Sequence, residues 1–193
     1  MKNSPWIFLF LIFDYLSALL AWALFFYLRK KFFEEKINDG GIILDLFCGT
    51  GTITQIIAKK NKKIKVIGVE IVEEAINNAI KNAKKNNISN VSFFNGDIGK
   101  IIEKNPSFEN KIKCIIIDPP RSGVAKKSLK KIVNLNSKRI VYISCDPSTQ
   151  ARDYKYLIDK GYELVKFSII DQFPHTYHIE TIGLLEKKHC IFK

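Results

Sequence analysis

Short, continuous apolar runs alternate with amphipathic stretches along most of this chain, and that alternation is what most restricts its fold. "GIILDLF" (Gly41–Phe47) runs into the glycine turn "CGTGT" and reads as a buried strand followed by a tight turn. Thr52 to Lys60 then reads as a helix. "KVIGVE" (Lys65–Glu70), "VSFFNGD" (Val91–Asp97) and "KCIIIDPP" (Lys113–Pro120) read as further strands. Pro119 and Pro120 stop the last of these, because proline has no N–H for a strand ladder. "RIVYIS" (Arg139–Ser144) is a fifth strand. Val72 to Asn86 places Ala75, Ile76, Ala79, Ile80 and Ala83 on one face with lysines opposite, as an amphipathic helix does. "SLKKIVNL" (Ser128–Leu135) and Thr149 to Lys160 also read as helices. "YELVKFSIID" (Tyr162–Asp171) and "ETIGLLEKK" (Glu180–Lys188) close the chain as two strands suited to antiparallel pairing.

Strands alternating with helices imply right-handed crossovers, and runs this apolar imply burial on both faces. The expectation is a doubly wound, mostly parallel, seven-stranded α/β sheet. In such sheets ligands bind outside the carboxyl ends of the strands. Asp45 to Thr52, Glu70, Asp97, Asp118 to Arg121 and Ser144 to Pro147 all fall there.

The 193 residues suit one domain with an extra segment. At 47% hydrophobic and 26% charged, most of the chain is globular rather than disordered. The net charge of +12 points to a polyanionic partner, nucleic acid or an anionic membrane surface. The chain is also rich in Lys, Asn and Ile together, which genomic base composition alone can produce. Its four cysteines, Cys48, Cys114, Cys145 and Cys190, form no CxxC pair, so neither a zinc nor an iron–sulfur site is indicated and no metal is expected. Free thiols fit a reducing, cytoplasmic compartment. Cys145, in "YISCDPST" (Tyr142–Thr149), sits where an apolar run ends. Taken alone it is either a buried filler or a nucleophile.

Trp6 to Leu28 is almost wholly apolar over 23 residues, with Asp14 its only charge, and Arg29, Lys30 and Lys31 follow. That length spans a bilayer, and the positive residues would hold the remainder on the cytoplasmic side. A membrane anchor, an apolar helix packed on the domain and a remnant of a damaged or truncated reading frame are the three readings. The composition changes from Phe32 onward, which divides the chain into residues 1–36 and a domain over 37–193.

"DLFCGTGT" (Asp45–Thr52) puts Gly49 and Gly51 between the first strand and the first helix, where glycine permits positive φ and close approach to a ligand. Glu70 ends the second strand, where an acid can accept hydrogen bonds from both ribose hydroxyls. Asp97 ends the third, where a carboxylate can accept from an exocyclic adenine amine. A dinucleotide fingerprint needs a third glycine, and Thr54 stands at that position. This combination resembles the S-adenosylmethionine site of class I methyltransferases, whose fold is Rossmann-like.

"IIIDPPRSG" (Ile115–Gly123), "YISCDPST" and "DQFPHTYHIE" (Asp171–Glu180) follow in that order. Over about residues 40–187 the chain closely resembles the bacterial family of RNA 5-methyluridine methyltransferases, which act on transfer or ribosomal RNA. The resemblance implies S-adenosylmethionine as cofactor and a monomeric enzyme acting on structured RNA. It also implies Cys145 as the nucleophile that adds to carbon 6 of uracil, and Glu180 as the base that takes the proton from carbon 5. Asp118 would lie between cofactor and target base, and Arg121 would stabilise the enolate oxygen or the thiolate. Phe47, Thr52 and Glu70 match cofactor-contacting positions, alongside Gly49, Gly51, Asp97 and Asp118. Methyltransferases of amino nitrogens carry an aromatic residue after the two prolines, and Arg121 stands there instead. Cys48, Cys114 and Cys190 read as buried fillers, Asp146 and Asp153 as cap and surface residues, and His175 and His178 as residues that order the loop carrying Glu180. Lysines at 59, 60, 62, 63, 126, 127, 130 and 131 are candidates for phosphate contacts. Family members carry RNA-binding and substrate-recognition regions ahead of this domain, and here the apolar run stands in their place. The competing expectation is therefore a truncated, catalytically impaired RNA-binding remnant.

Overall fold

The computed structural model describes residues 41–108, 111–170 and 179–188. The apolar segment Trp6–Leu28, the boundary near residue 37, His175, His178 and Cys190 lie outside the described residues. Among the described residues, no helix is long and apolar enough to cross a membrane.

The strands are β1 (Gly41–Leu46), β2 (Ile64–Glu70), β3 (Val91–Asn95), β4 (Ile112–Ile117), β5 (Arg139–Ser144), β6 (Tyr162–Ile170) and β7 (Glu180–Lys187). Among the described residues the helices are α1 (Thr52–Lys60), α2 (Glu73–Lys85), α3 (Ile98–Lys104), α4 (Lys126–Asn134) and α5 (Pro147–Asp159), with one 3₁₀ turn at Pro106–Phe108. The seven strands form one sheet in the order β3-β2-β1-β4-β5-β7-β6. β1 to β5 are joined by parallel pairings, whereas β7 is antiparallel to both of its neighbours. The sheet is thus mixed and mostly parallel, and the last two strands form the expected antiparallel pair.

Alternation along each strand divides the core between the two faces of the sheet. Leu44, Leu46, Ile115, Ile117, Ile140 and Tyr142 pack on one side with Leu129 of α4 and Leu157 of α5. Ile43, Val66, Ile116, Val141, Ile182 and Leu184 pack on the other with Ile57 and Ala58 of α1. Most of these side chains are fully buried, and burying each one stabilises the fold by roughly 1.5–3 kcal/mol before entropy is counted.

Two helices depart from the sequence expectation. In α2 the buried seam is Ile76, Ala79 and Ala83, while Ile80 is 49% exposed. Four residues turn a helix about 40° past a full turn, which carries Ile80 beyond the edge of a seam centred on Ile76 and Ala79. Helix α3 carries only two turns and a glycine, Gly99, so its periodicity is too short to signal it; Asp97 starts it by accepting from Lys100 N at 3.0 Å.

Candidate active site

The turn after β1 bends through left-handed backbone at Phe47 (φ 64°), Gly49 (φ 53°) and Gly51 (φ 76°). A phenylalanine in that region is uncommon and is held there by its surroundings. Cys48 N donates to Val69 O at 3.1 Å, and Gly51 N to Cys48 O at 2.9 Å. Glu70, at the end of β2, gathers three backbone donors. Its Oε2 accepts from Gly49 N at 3.2 Å, and its Oε1 accepts from Ile71 N at 2.8 Å and Val72 N at 3.0 Å. The acid therefore ties the glycine turn to the start of α2. With about four acceptor positions on a carboxylate, it retains capacity for a further donor.

The two glycines do different work. A Cβ on Gly49 would meet nothing within 4 Å, so that backbone faces open space. A Cβ on Gly51 would stand 2.7 Å from the Phe93 ring and 3.0 Å from Ala79, so this glycine lets helix and sheet close together. Beside the turn is a cleft of about 190 Å³ walled by Phe47, Glu70, Gly96, Asp97 and Ile98. Of the sequence-predicted cofactor residues, Phe47, Glu70 and Asp97 line it. Gly49 touches it through Glu70, whereas Gly51, Thr52 and Asp118 are not in its wall. A larger cavity, about 660 Å³, adjoins it at Gly123 and Ala125. It runs between α4 and α5, is lined by Lys126, Leu129, Arg152 and Tyr156, and contains none of the acids at the strand ends.

Cys145 and Glu180 are brought together by strand pairing. Ser144 pairs with Thr181 in the antiparallel β5–β7 register, so Cys145, which follows the one, and Glu180, which precedes the other, lie at the same end of these two strands. On the other side of β5, Ile117 of β4 pairs with Tyr142, so Asp118 leaves β4 at the same end of the sheet. Cys145 and Glu180 are both half-buried. Burial first, and then the Asp118 carboxylate, push the Glu180 pKa up to about 7, against a smaller opposing pull from Arg121. Asp118 itself is raised to about 6 by the protein packed around it. Its open side meets solvent, which moderates that shift, and a ligand displacing the water would enlarge it.

The loop between β4 and α4 is fastened to α5. Gly123 N closes a turn onto Pro120 O at 2.8 Å. Thr149 Oγ1 donates to Arg121 O at 2.9 Å, and Arg152 Nη2 to Ser122 O at 3.0 Å. Asp153 Oδ2 accepts from Val124 N at 2.8 Å and from the Tyr142 hydroxyl at 2.6 Å, while its Oδ1 meets Arg152. The surface role expected of Asp153 is therefore wrong: it is 1% exposed and joins β5, α5 and the Asp118–Arg121 loop. Asp146 does cap α5, accepting from Ser148 N at 2.9 Å and Thr149 N at 3.2 Å. Its hydrogen bonds, that from the Ser148 hydroxyl foremost, hold its carboxyl below the usual range.

Sequence reasoning set Asp45 at the ligand end of the sheet but gave it no role. Asp45, within "GIILDL", is fully buried and accepts from Thr54 Oγ1 at 2.5 Å, and its Oδ1 has no hydrogen-bond partner among the described residues. Burial, with Asp118 and Glu70 nearby, raises it to about 7 despite the Thr54 bond. The only signal in the sequence was a lone acid inside an apolar run. Cys48 and Cys114 are buried as expected, and burial raises both thiols.

A mostly parallel, doubly wound sheet with acids and a glycine turn at its carboxyl edge defines an α/β enzyme domain built to hold a nucleoside-like ligand. A family model described as "Methyltransferase domain" matches residues 37–175, and the chain belongs to that family. It is 47% identical over 145 residues to an uncharacterized RNA methyltransferase of Caldanaerobacter subterraneus, covering 75% of this chain and 31% of that one. It is 40% identical over 153 residues to the 23S rRNA (uracil(1939)-C(5))-methyltransferase of Acinetobacter baumannii, covering 79% and 33%. Among solved structures, the Pyrococcus abyssi tRNA (uracil-54, C5)-methyltransferase, determined with S-adenosyl-L-homocysteine, superposes with a TM-score of 0.67 at 31% identity, covering 82% of this chain and 37% of that one. The chain thus spans about a third of the length of the curated relatives it matches.

Proposed function

We propose that this chain methylates carbon 5 of a uridine in transfer or ribosomal RNA, through a covalent adduct of Cys145 at carbon 6. The observation that carries this reading is the meeting of a half-buried thiol, a carboxyl with a raised pKa and a second acid at three adjacent strand ends. One relative and one structural neighbour named for carbon 5 of uracil add to it.

The residues present fit S-adenosylmethionine. Glu70 has acceptor capacity for ribose hydroxyls, Asp97 lines the same cleft, Phe47 offers a ring face, and Gly49 leaves open the space a side chain would fill. When bound there, this cofactor supplies an electrophilic methyl group and leaves as S-adenosylhomocysteine.

The chain's own residues perform the remaining work. Carbon 5 of uracil is a weak nucleophile. The Cys145 thiol loses its proton to solvent, and the thiolate adds to carbon 6, forming the C–S bond and turning the ring into an enolate. Arg121 stabilises the enolate oxygen. Once carbon 5 is methylated, Glu180 removes its remaining proton, the C–S bond breaks, and thiolate and ring are restored. A carboxyl with a pKa of about 7 is poised for that task near neutral pH. Residues 37–193 form the catalytic domain on this reading, working in the cytoplasm, with surface lysines such as Lys126, Lys127 and Lys130 contacting phosphates.

The test uses RNA containing 5-fluorouridine, where fluorine replaces the proton Glu180 must remove. The protein should form an adduct that survives denaturing electrophoresis, and Cys145→Ala should form none. A wild-type chain that forms no adduct with any cellular transfer or ribosomal RNA would sink the proposal. The competing reading, an RNA-binding remnant, predicts no S-adenosylmethionine binding at millimolar concentration; binding at micromolar concentration excludes it.

A further inference from the structure

Directly beneath the Cys145–Glu180 pair lies a buried polar bridge. Thr181 Oγ1 is 3.0 Å from Ser144 O and 2.8 Å from Gln150 Oε1, and its one proton serves either acceptor. At its other end, Gln150 Nε2 donates to Tyr142 O at 3.2 Å. Gln150, Thr181 and Ser144 are 1%, 1% and 3% exposed. One α5 side chain thus grips β5 at Tyr142 and β7 at Thr181. Cys145 follows the first of these strands and Glu180 opens the second, and these two residues carry the proposed chemistry.

This placement is costly for a purely structural core. Thr181 is followed by Ile182 and paired with a strand that reads Val141, Tyr142 and Ile143. Valine would fill the same volume without a hydroxyl to satisfy, and a buried hydroxyl or amide is tolerated only when hydrogen-bonded. What a bonded bridge adds is uniqueness of spacing: a closed polar network allows one arrangement of β5 against β7, where apolar contacts allow several.

We propose that Gln150 and Thr181 are positioning residues that fix the spacing of the Cys145 thiol from the Glu180 carboxylate. The assignment rests on the reading of those two residues as nucleophile and base. Both side chains are buried, so the bridge offers no surface to substrate or cofactor. Its effect should fall on the step that needs both groups in register, the release of the methylated base, and leave cofactor binding unchanged.

The test compares Thr181→Val, which keeps the shape and loses the hydroxyl, with Thr181→Ser, which keeps the hydroxyl. Gln150→Met serves as a second variant should Thr181→Val fold poorly. Ordinary transfer and ribosomal RNA from cells deleted for this chain is the probe. Thr181→Val and Gln150→Met should lose about 10- to 100-fold in methyl transfer, as displacement of reacting groups by about 1 Å produces, and should accumulate adduct on ordinary uridine. Thr181→Ser should stay within about threefold of wild type by the same argument.

A second arm needs no turnover: the rate of Cys145 alkylation by iodoacetamide in wild type, Glu180→Gln, Thr181→Val and the double variant. If the bridge sets the spacing, removing the carboxylate changes alkylation less in the Thr181→Val background, giving a non-additive cycle. Additive effects, or a Thr181→Val protein that transfers methyl like wild type without accumulating adduct, would overturn the proposal. Should the wild type transfer no methyl to any RNA, the uracil reading fails, and the alkylation cycle still decides the bridge.

Discussion

The Tyr142 hydroxyl donates to Asp153 Oδ2 at 2.6 Å, joining the middle of β5 to the second turn of α5. The same oxygen accepts from Val124 N, so one carboxylate fixes a strand, a helix and the loop carrying Asp118 and Arg121. Asp153→Ala would strand two buried donors. It should cost about 2–4 kcal/mol in urea unfolding, whereas Tyr142→Phe should cost about 1 kcal/mol. Arg152 adds little to this, because its side chain is 57% exposed and its ion pair is screened by water. Equal costs for the two variants would show that Val124 N finds another acceptor.

Glu180→Gln should separate the chemical steps. The thiol can still add and carbon 5 can still be methylated, but the proton at carbon 5 has no base. The variant should therefore accumulate a covalent complex with ordinary uridine, as the wild type does only with 5-fluorouridine. In the wild type, release should rise with pH around a midpoint near 7, where Glu180 ionises. Quenched-flow gels across pH 5.5–8.5 read both effects. A flat profile would remove Glu180 from the role of base.

Asp45 makes a prediction about stability. Its folded pKa of about 7 lies above the ordinary value of 3.8, so the folded state holds a proton that the unfolded state gives up. That contribution is complete below pH 3.8 and is lost as pH rises towards 7. Asp45→Asn keeps an acceptor for Thr54 and cannot ionise. It should match wild type near pH 4 and be more stable at pH 8 by about 4 kcal/mol, a displacement of about three pH units at about 1.4 kcal/mol each. Thermal unfolding at the two pH values checks the sign. A variant less stable at pH 8 would mean the carboxylate is compensated.

The two glycines of the first turn should fail differently. Gly51→Ala forces a Cβ onto Phe93 and Ala79 at positive φ, and should cost about 2–4 kcal/mol of stability. Gly49→Ala meets open space and carries only the backbone cost of about 1–2 kcal/mol. Its larger loss should be in S-adenosylmethionine affinity. Calorimetric melting beside cofactor titration distinguishes them, and the reverse pattern would move the cofactor away from Gly49.

Much of the fold was legible because a sheet buried on both faces writes its strands as unbroken apolar runs, and β1 to β5 each end at the expected residue or within three of it. Motif order singled out Cys145, Asp118 and Glu180, but not why they meet; that follows from β7 inserting beside β5. Asp153 was misread because an acid inside "STQARDYKY" has the look of a solvated helix face, and only tertiary packing buries it. Gln150 and Thr181 left no trace for the same reason: hydrogen bonds across a core have no sequence period.

The place of β7 between β5 and β6 also governs the order in which the molecule can be completed. Until β7 arrives, β6 has no neighbour in the sheet and Cys145 lacks the Glu180 carboxylate at its end of the sheet. On the proposed reading, the thiol, the glycine turn and most of the core precede β7 in the chain, so the site is complete only once that closing strand has been added.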